Sequence, residues 1–418
     1  MNSSRPVPNL FYGWWIVAAG FVTTMLAIGS TTYAFGLFVK PLSEEFGLSR
    51  ADANIGFIAL LIGFALWAPL VGRVLDRSPA RMVMCVGGLL VGIGFSLIAV
   101  LKSPTAMALV VVGPLALGTV ACGALATNAI TARWFYRQRG RAMGLLAVAT
   151  SAGGFTVPPV AALLMEQYGW RGAVGVLGVA IPLLVIAVVL WRIRDRPQDL
   201  GLLPDGGVSS VTTAADGTQP AAVEGRQWRF GQLLADGRFW LIALGTGLLL
   251  GADQALLASL IPYGIDAGYG APRAALLLSC LTFSAILGKL AIGALADRYD
   301  KRLLFCIVAA CNLSFLLLLL FEPSYPVLVA ACCVIGLAIG GTYPLWTTLI
   351  ADHFGAASFG TVMGSMNLAM MPLAIGAIRF IGVVHDRTGS YNDAFLVFIA
   401  TAFVAVALIL MLRPRPPA

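Results

Sequence analysis

Twelve apolar runs, each long enough to cross a lipid bilayer as a helix, follow one another along the 418-residue chain. A spanning helix needs about 20 mostly apolar residues, because inside the bilayer the backbone must satisfy its own hydrogen bonds. Charged residues make up 11% of the chain and hydrophobic ones 59%, whereas a soluble domain carries about 25% charged residues. The sequence therefore predicts an all-α membrane protein with twelve transmembrane helices. The predicted spans are residues 13–38, 51–71, 81–101, 104–132, 141–165, 172–191, 237–264, 273–295, 302–321, 325–350, 358–384 and 393–412.

Basic residues are concentrated in every second loop between these spans. Arg77 and Arg81 lie between spans 2 and 3, Arg137 and Arg141 lie between spans 4 and 5, and further arginines follow spans 6, 8 and 12. The opposite loops mix acidic and basic residues. Because positively charged loops stay in the cytoplasm, both termini are predicted to be cytoplasmic. This distribution accounts for the net charge of +8, and no nucleic-acid partner is expected.

Two sequence patterns occur once in each half of the chain. The segments "GRVLDRSPAR" (72–81) and "GALADRYDKR" (293–302) share the pattern G-x-x-x-D-R-x-x-x-R, with 221 residues between their starts. The segments "YGWRGAVGVLG" (168–178) and "TGSYNDAFLVF" (388–398) correspond at an offset of 220 residues. Two patterns at nearly one offset indicate two halves of six spans each in the same orientation, a design typical of transporters.

The predicted halves are residues 1–193 and 236–418, joined by a cytoplasmic linker over 194–235. From Gly206 to Gly225 the linker is rich in Gly, Ser, Thr and Ala and has no periodicity, which predicts a flexible segment. The stretch 228–241 is compatible with a short interfacial helix or with more linker.

The duplicated loop resembles the signature between spans 2 and 3 of the major facilitator superfamily and its repeat between spans 8 and 9. The resemblance gives Asp76 and Asp297 the acidic position of the motif. An aspartate near a helix end can bind the N-terminus of a neighbouring helix, a contact that moving halves can make and break. The alternative is that these charges only set the topology. The basic positions of the motif are Arg77, Arg81, Arg298 and Arg302.

Within that superfamily the chain resembles bacterial members of the monocarboxylate transporter family, which are related to the oxalate/formate antiporters. The resemblance rests on "FYGWWIVAAG" (11–20), "RWFYRQRGRAMGLLAVATSAGG" (133–154) and "RPQDLGLLPDG" (196–206). It implies a monomeric secondary transporter in the bacterial inner membrane. Its expected partners are a small lactate- or pyruvate-like anion, a proton and the lipid bilayer, and transport is expected to be symport by alternating access.

Two other transport functions remain open: exchange of carboxylate anions of the oxalate/formate type, and efflux of other amphipathic compounds. An enzyme is not expected, because no nucleophile–base pair or metal-ligand pattern is present. The seven cysteines and two histidines form neither a disulfide framework nor a metal site, and no cofactor is expected.

Lys289 is a cation inside predicted span 8. It lies eight residues before Asp297, which places it about 12 Å into a hydrocarbon core whose half-thickness is about 15 Å. A charge at this depth usually marks a binding site, a pathway or an ion pair. The monocarboxylate family places a substrate-binding arginine at the position of Lys289, so a substrate carboxylate is its expected partner. The alternatives are a structural ion pair and snorkelling to the cytoplasmic surface.

Two further charges lie inside the second six spans. Depth places Arg379 about 10 Å from the outer edge and Asp253 about 22 Å from the cytoplasmic edge, which makes them candidate partners of each other. Asp253 is also the candidate proton carrier, and Arg379 is a candidate second contact for the substrate. With Asp253 ionised, the three charges of Asp253, Lys289 and Arg379 sum to +1, which one monovalent anion neutralises.

Polar side chains in other spans are candidates for the wall of the substrate cavity, although ordinary packing explains each of them as well. The residues predicted to line the cavity with Lys289 and Arg379 are Tyr33, Asn128, Tyr343 and Asn367.

Overall fold

The computed structural model describes residues 11–47, 50–206 and 227–413, and this part of the chain is almost entirely helical. Eleven of its helical segments are long and apolar enough to cross a membrane. One of them, Arg139–Arg192, has 54 residues and is interrupted at Gly169, whose φ of +67° is not helical. Glycine alone adopts this left-handed region freely, and the interruption divides the segment into two spans. The prediction of twelve transmembrane helices is thereby confirmed.

We number the spanning helices in chain order. The first half contains α1 (Gly13–Phe46), α2 (Arg50–Arg77), α3 (Ala80–Val100), α4 (Pro104–Trp134), α5 (139–168) and α6 (170–192). The second half contains α7 (Gly237–Asp266), α8 (Ala271–Leu295), α9 (Lys301–Leu320), α10 (Tyr325–Phe354), α11 (Phe359–Thr388) and α12 (Asn392–Leu410).

The predicted linker lies between α6 and α7. Residues 207–226, which include nearly all of the segment predicted to be flexible, are outside the described residues. Of the two alternatives for 228–241, a short helix is present at Phe230–Ala235. Asp236 then caps α7, because its side chain accepts a hydrogen bond from the backbone N–H of Arg238.

The duplication recurs in how the sixth helix of each half is anchored. Arg81 donates to the carbonyl of Leu190 near the end of α6, at 2.7 Å. Arg302, its counterpart, donates to the carbonyl of Leu412, just beyond α12, at 2.9 Å. An arginine suits these positions because the last carbonyls of a helix lack partners and carry partial negative charge.

Two pairs of helices bring the halves into close contact: α2 packs on α11, and α5 packs on α8. We call these contacts the α2–α11 seam and the α5–α8 seam. A Cβ atom on Gly360 would lie 2.6 Å from the Gly72 carbonyl oxygen, and one on Gly293 would lie 2.6 Å from the Gly140 carbonyl oxygen. Small residues therefore set the close approach of the two halves.

Candidate functional site

The Lys289 ammonium group lies in the α5–α8 seam. Its Nζ donates to the hydroxyl of Ser151 at 2.7 Å and to that of Thr150 at 3.1 Å. Ser151 is twelve residues into α5, about 18 Å from the start of that helix. In a helix the Cα–Cβ bond tilts toward the N-terminus, and for α8 this direction leads away from Asp297. The snorkelling alternative is therefore wrong, because the ammonium group extends toward the middle of the membrane.

The donors around Lys289 are only partly used. An ammonium group has three N–H donors, of which two bind the hydroxyls. The Thr150 hydroxyl donates a hydrogen bond to the carbonyl of Ala147 at 2.8 Å. The structure gives the Ser151 hydroxyl no acceptor among the described residues. One N–H of Lys289 and the O–H of Ser151 can therefore both donate to an anion.

Two aromatic rings stand next to these donors. Tyr33 packs on α5 at Gly154, where a Cβ atom would lie 2.7 Å from the tyrosine ring, and Gly154 is almost one turn from Ser151. Tyr33 remains 47% exposed, and Phe155, one turn beyond Ser151 on the same face of α5, is 82% exposed. The sequence analysis identified Tyr33 but did not identify Phe155. Tyr33 and Phe155 are therefore two exposed rings placed about one helical turn from Ser151.

Asp253 occupies a different environment, inside the second half. It is 1% exposed, and its Oδ2 accepts a hydrogen bond of 3.3 Å from Thr342 on α10. The side chain of Asn312 on α9 lies near the carboxyl group and donates to the carbonyl of Val308 in its own helix at 3.4 Å. Oδ1 of Asp253 and Oδ1 of Asn312 are both buried and have no hydrogen-bond partner in the part of the chain that the structure describes.

The predicted pair of Asp253 and Arg379 does not form. Within the described part of the chain, no cation lies within 4.0 Å of Asp253. The reason is the direction of the side chains around their helices. Gly251 of α7 contacts α11 at Leu373, and Asp253 follows two residues later, which places it on the opposite face of α7.

Arg379 is exposed and lies away from α7. Gly364 contacts Ala68 of α2, and Arg379 is fifteen residues further, about 60° around the helix from that contact. It therefore lies on the face of α11 that continues the α2–α11 seam. Ile375 and Ile378 share this face and are also exposed. Arg379 thus belongs to an exposed part of the α11 face that forms the α2–α11 seam.

The remaining predicted wall residues are placed differently from one another. Asn128 of α4 donates to the Tyr343 hydroxyl of α10 at 3.4 Å, so this pair links the two halves. Asn367 is half-buried and donates to the carbonyl of Met363 in its own helix at 3.2 Å.

The aspartates of the duplicated motif cap helices of the opposite half. Asp76 accepts hydrogen bonds from the backbone N–H groups of Gly360 and Thr361, at 3.0 and 2.7 Å, at the start of α11. Asp297 accepts from the N–H groups of Gly140 and Arg141 at the start of α5, at 2.5 and 3.0 Å. A carboxylate at a helix N-terminus satisfies unpaired donors and the positive end of the helix dipole.

The motif arginines do not bind these aspartates. Arg77 and Arg298 are exposed, and Arg81 and Arg302 bind the helix-end carbonyls described above. Arg133, which the sequence analysis did not single out, donates to the Leu75 carbonyl at 2.6 Å, beside Asp76.

The end of the bundle that holds Asp76 and Asp297 is the closed end, and we call it the motif side. Asp352 adds to the closure, because it binds Lys301 at 2.7 Å and lies 4.0 Å from Arg139 of the first half. Every hydrogen bond or ion pair described between the halves lies level with Lys289 or nearer the motif side. On the far side of Lys289 the facing surfaces are exposed. Lys289 therefore lies at the far-side end of the contacts that join the two halves.

Comparison with known proteins supports this architecture. The family described as Major Facilitator Superfamily matches residues 19–378. Mouse "Monocarboxylate transporter 12" is 26% identical over 407 residues, which cover 93% of this chain and 83% of the relative. Human "Monocarboxylate transporter 11" is 28% identical over 420 residues, covering 96% and 84%.

Solved structures share the fold. The transporter FucP in its outward conformation superposes with a TM-score of 0.69 at 15% identity, covering 95% of this chain and 98% of that one. The human organic anion transporter MFSD10 gives a TM-score of 0.68 at 16% identity, covering 95% and 99%.

Proposed function

Since the chain belongs to the major facilitator superfamily, we propose that it carries small monocarboxylate anions across the membrane together with a proton. The carrying observation is the Lys289 ammonium group, held by two hydroxyls at the far-side end of the contacts between the halves. Its relatives named monocarboxylate transporters support the substrate class. The substrates that fit are lactate- or pyruvate-like anions.

The carboxylate binds to Lys289 and Ser151 in this proposal. Lysine presents a point charge, whereas arginine presents a planar fork that binds both oxygens of a carboxylate. The free N–H of Lys289 and the O–H of Ser151 together supply two convergent donors, one for each oxygen. The short organic tail then lies against Tyr33 and Phe155. Asn128, Tyr343 and Asn367 complete the wall nearer the motif side.

Asp253 carries the proton. A buried carboxylate without a nearby cation is costly, so the neutral acid is the stable form in this environment. Oδ1 of Asp253 has no hydrogen-bond partner among the described residues, which an ionised carboxylate tolerates less well than the neutral acid. The environment of Asp253 thus favours its protonated form. Release of the proton accompanies a rearrangement of α7, α9 and α10.

The duplicated motif acts as the gate. Opening of the motif side requires Asp76 to release the start of α11 and Asp297 to release the start of α5. The motif arginines stabilise the ends of α2, α6, α8 and α12 while these helices move. By the distribution of basic loops the motif side faces the cytoplasm, with both termini, in the inner membrane of a bacterium, and the unit that transports is the monomer.

Carboxylate exchange is the second candidate function, and the exposure of Arg379 favours it. In an exchanger, Lys289 and Arg379 would both contact a substrate with two acidic groups. Exchange would then proceed without a pH gradient.

Uptake of labelled lactate and pyruvate into proteoliposomes tests the proposal. Lys289→Ala is expected to lower kcat/KM by about 100-fold, because loss of one partner of a desolvated charge pair costs about 2–5 kcal/mol. Lys289→Arg should retain part of the activity. Lys40→Ala, at an exposed lysine of α1, is the matched control. Unchanged uptake by Lys289→Ala would refute the assigned site, and counterflow that is indifferent to pH would favour exchange.

A further inference from the structure

A cavity lies inside the first half, near its far-side end. Its volume is about 390 Å³, and it is bounded by α1, α2, α3, α4 and α6. We call it the outer chamber. One wall is the last part of α1, where Phe35, Phe38, Leu42 and Phe46 recur at helical spacing and face the chamber. A continuous apolar stripe that faces empty space is the usual lining of a ligand pocket.

The outer chamber is elongated along the membrane normal. On α4 its lining extends from Pro104 to Leu115, eleven residues or about 16 Å of helix. The polar groups in its wall are already satisfied. Ser30 donates to the Leu26 carbonyl at 2.7 Å, and Thr31 donates to the Ala27 carbonyl at 2.7 Å.

The third hydroxyl of the lining belongs to Thr105, which is hydrogen-bonded to Ser103 at 2.8 Å. The chamber thus offers an occupant a long apolar surface and no unmet hydrogen bond. A flexible hydrocarbon chain matches this shape and polarity.

Helix α1 separates the outer chamber from the Lys289 site. Tyr33 turns toward α5 and packs on Gly154, whereas Ser30 and Thr31 line the chamber on the other side. An occupant of the chamber therefore does not contact Lys289 or Ser151.

Two charged clusters lie beside lining residues of the chamber: Lys102 comes two residues before Pro104, and Arg171 follows Trp170. Glu45 is bound by Arg171 at 2.6 Å and by the indole N–H of Trp170 at 2.8 Å. Arg171 also donates to the carbonyls of Ala99 and Leu101, at 2.8 Å each, so its donors are engaged. Lys102 is exposed and lies within electrostatic range of Glu45. Arg171 neutralises Glu45, which leaves Lys102 to attract an anion.

We propose that the outer chamber binds a single aliphatic chain whose anionic head group lies at Lys102. A free fatty acid and an anionic phospholipid of the far-side leaflet both have this chemistry. The chamber takes the chain, and Lys102 selects the head group. This site stands independently of the substrate that Lys289 binds.

Photolabelling of the full chain in proteoliposomes tests the proposal. Two probes carry the same alkyl diazirine chain, one as a free fatty acid and the other on phosphatidylglycerol. Adducts are expected on chamber residues such as Phe38, Leu42 and Met107, and the probe that gives them identifies the source. Adducts restricted to lipid-facing residues with both probes would overturn the proposal.

Matched variants make the test specific. Ala108→Trp fills the chamber and should abolish chamber adducts, whereas Leu109→Trp, at the adjacent residue that is 73% exposed, should not. Ala108→Leu serves as a smaller filler if the tryptophan variant does not fold. Lys102→Ala should lower labelling at least severalfold, and Lys40→Ala should leave it unchanged. Equal labelling of the Ala108 and Leu109 variants would contradict the site.

Discussion

The two seams between the halves share a glycine contact and an aspartate that caps a helix, but they differ in the side chains further from the motif side. In the α2–α11 seam, Gly72 packs on Gly360 and Asp76 caps α11. In the α5–α8 seam, Gly293 packs on Gly140 and Asp297 caps α5. About two turns of α8 before Asp297, the α5–α8 seam contains Lys289, whose ammonium group has two hydroxyl partners.

The offset of the repeat identifies the residues of the α2–α11 seam that correspond to Lys289, Thr150 and Ser151. The residue 221 positions before Lys289 is Ala68, which packs on Gly364. The residues 220 positions after Thr150 and Ser151 are Met370 and Met371. Duplication has therefore preserved the parts that close the motif side, while the Lys289 ammonium group and its hydroxyl partners are present in one copy. A substrate held by Lys289 lies off the pseudo-symmetry axis, toward α5 and α8.

The strongest way to break this comparison is to place a lysine in the other seam. Ala68→Lys puts an ammonium group opposite methionines, which offer no good acceptor, and a charge at this depth costs about 2.5–3.5 kcal/mol. We expect a large loss of folded protein and a marked fall in the Tm measured in detergent. Ala68→Met, of similar length, is the control that separates volume from charge. Equal Tm values for the two variants would show that the seams tolerate charge alike.

Asp253 extends the comparison to α1 and α7, because the residue 221 positions earlier is Thr32. Asp253→Asn keeps the shape and imitates the protonated acid, so the fold should be retained. Accumulation of labelled lactate driven by a pH gradient should fall by at least about tenfold, because the variant binds no proton. A tenfold fall corresponds to about 1.4 kcal/mol. Substrate counterflow in the same proteoliposomes should continue. Normal pH-driven accumulation would exclude Asp253 as the carrier.

Asp76 and Asp297 should contribute equally to closure of the motif side if their helix caps are equivalent. Asp76→Asn and Asp297→Asn each remove charge-assisted hydrogen bonds worth about 1.5–3 kcal/mol, and each should raise the population open on the motif side by about tenfold. Double electron–electron resonance between spin labels at Tyr136 and Tyr299, both exposed on the motif side, measures that population. Unequal shifts would show that one seam dominates closure.

Sequence reasoning succeeded where the relevant property depends on position along a helix. The number of spans follows from hydropathy, and the matched contacts of Asp76 and Asp297 follow from the spacing of the repeat. Direction around a helix was harder. Asp253 and Arg379 were matched by depth, yet the faces of α7 and α11 point them apart. Buried Asp253 instead lies with Thr342 and Asn312, two ordinary polar residues of apolar helices.

Thr150 and Ser151 escaped the sequence analysis for a related reason. A hydroxyl in a membrane helix can satisfy itself on a carbonyl one turn back, as Thr150 does on Ala147. The presence of a hydroxyl in the sequence therefore does not indicate a partner on another helix. A usable signal was the spacing from Gly140 and Gly144, because Ser151 continues their face of α5 toward the middle of the membrane.

The smallest expected effect separates these two hydroxyls. Ser151→Ala removes the donor that points to the carboxylate, and KM for lactate should rise by about fivefold, equivalent to about 1 kcal/mol for one hydrogen bond. Thr150→Ala should change KM less, because that hydroxyl donates its hydrogen bond to the Ala147 carbonyl and not to the substrate. Ser151→Thr restores a hydroxyl and should recover most of the affinity, which a purely packing role would not explain. If Thr150→Ala raised KM as much as Ser151→Ala, both hydroxyls would act only by holding Lys289 in place, and the second donor to the carboxylate would have to come from elsewhere in the cavity.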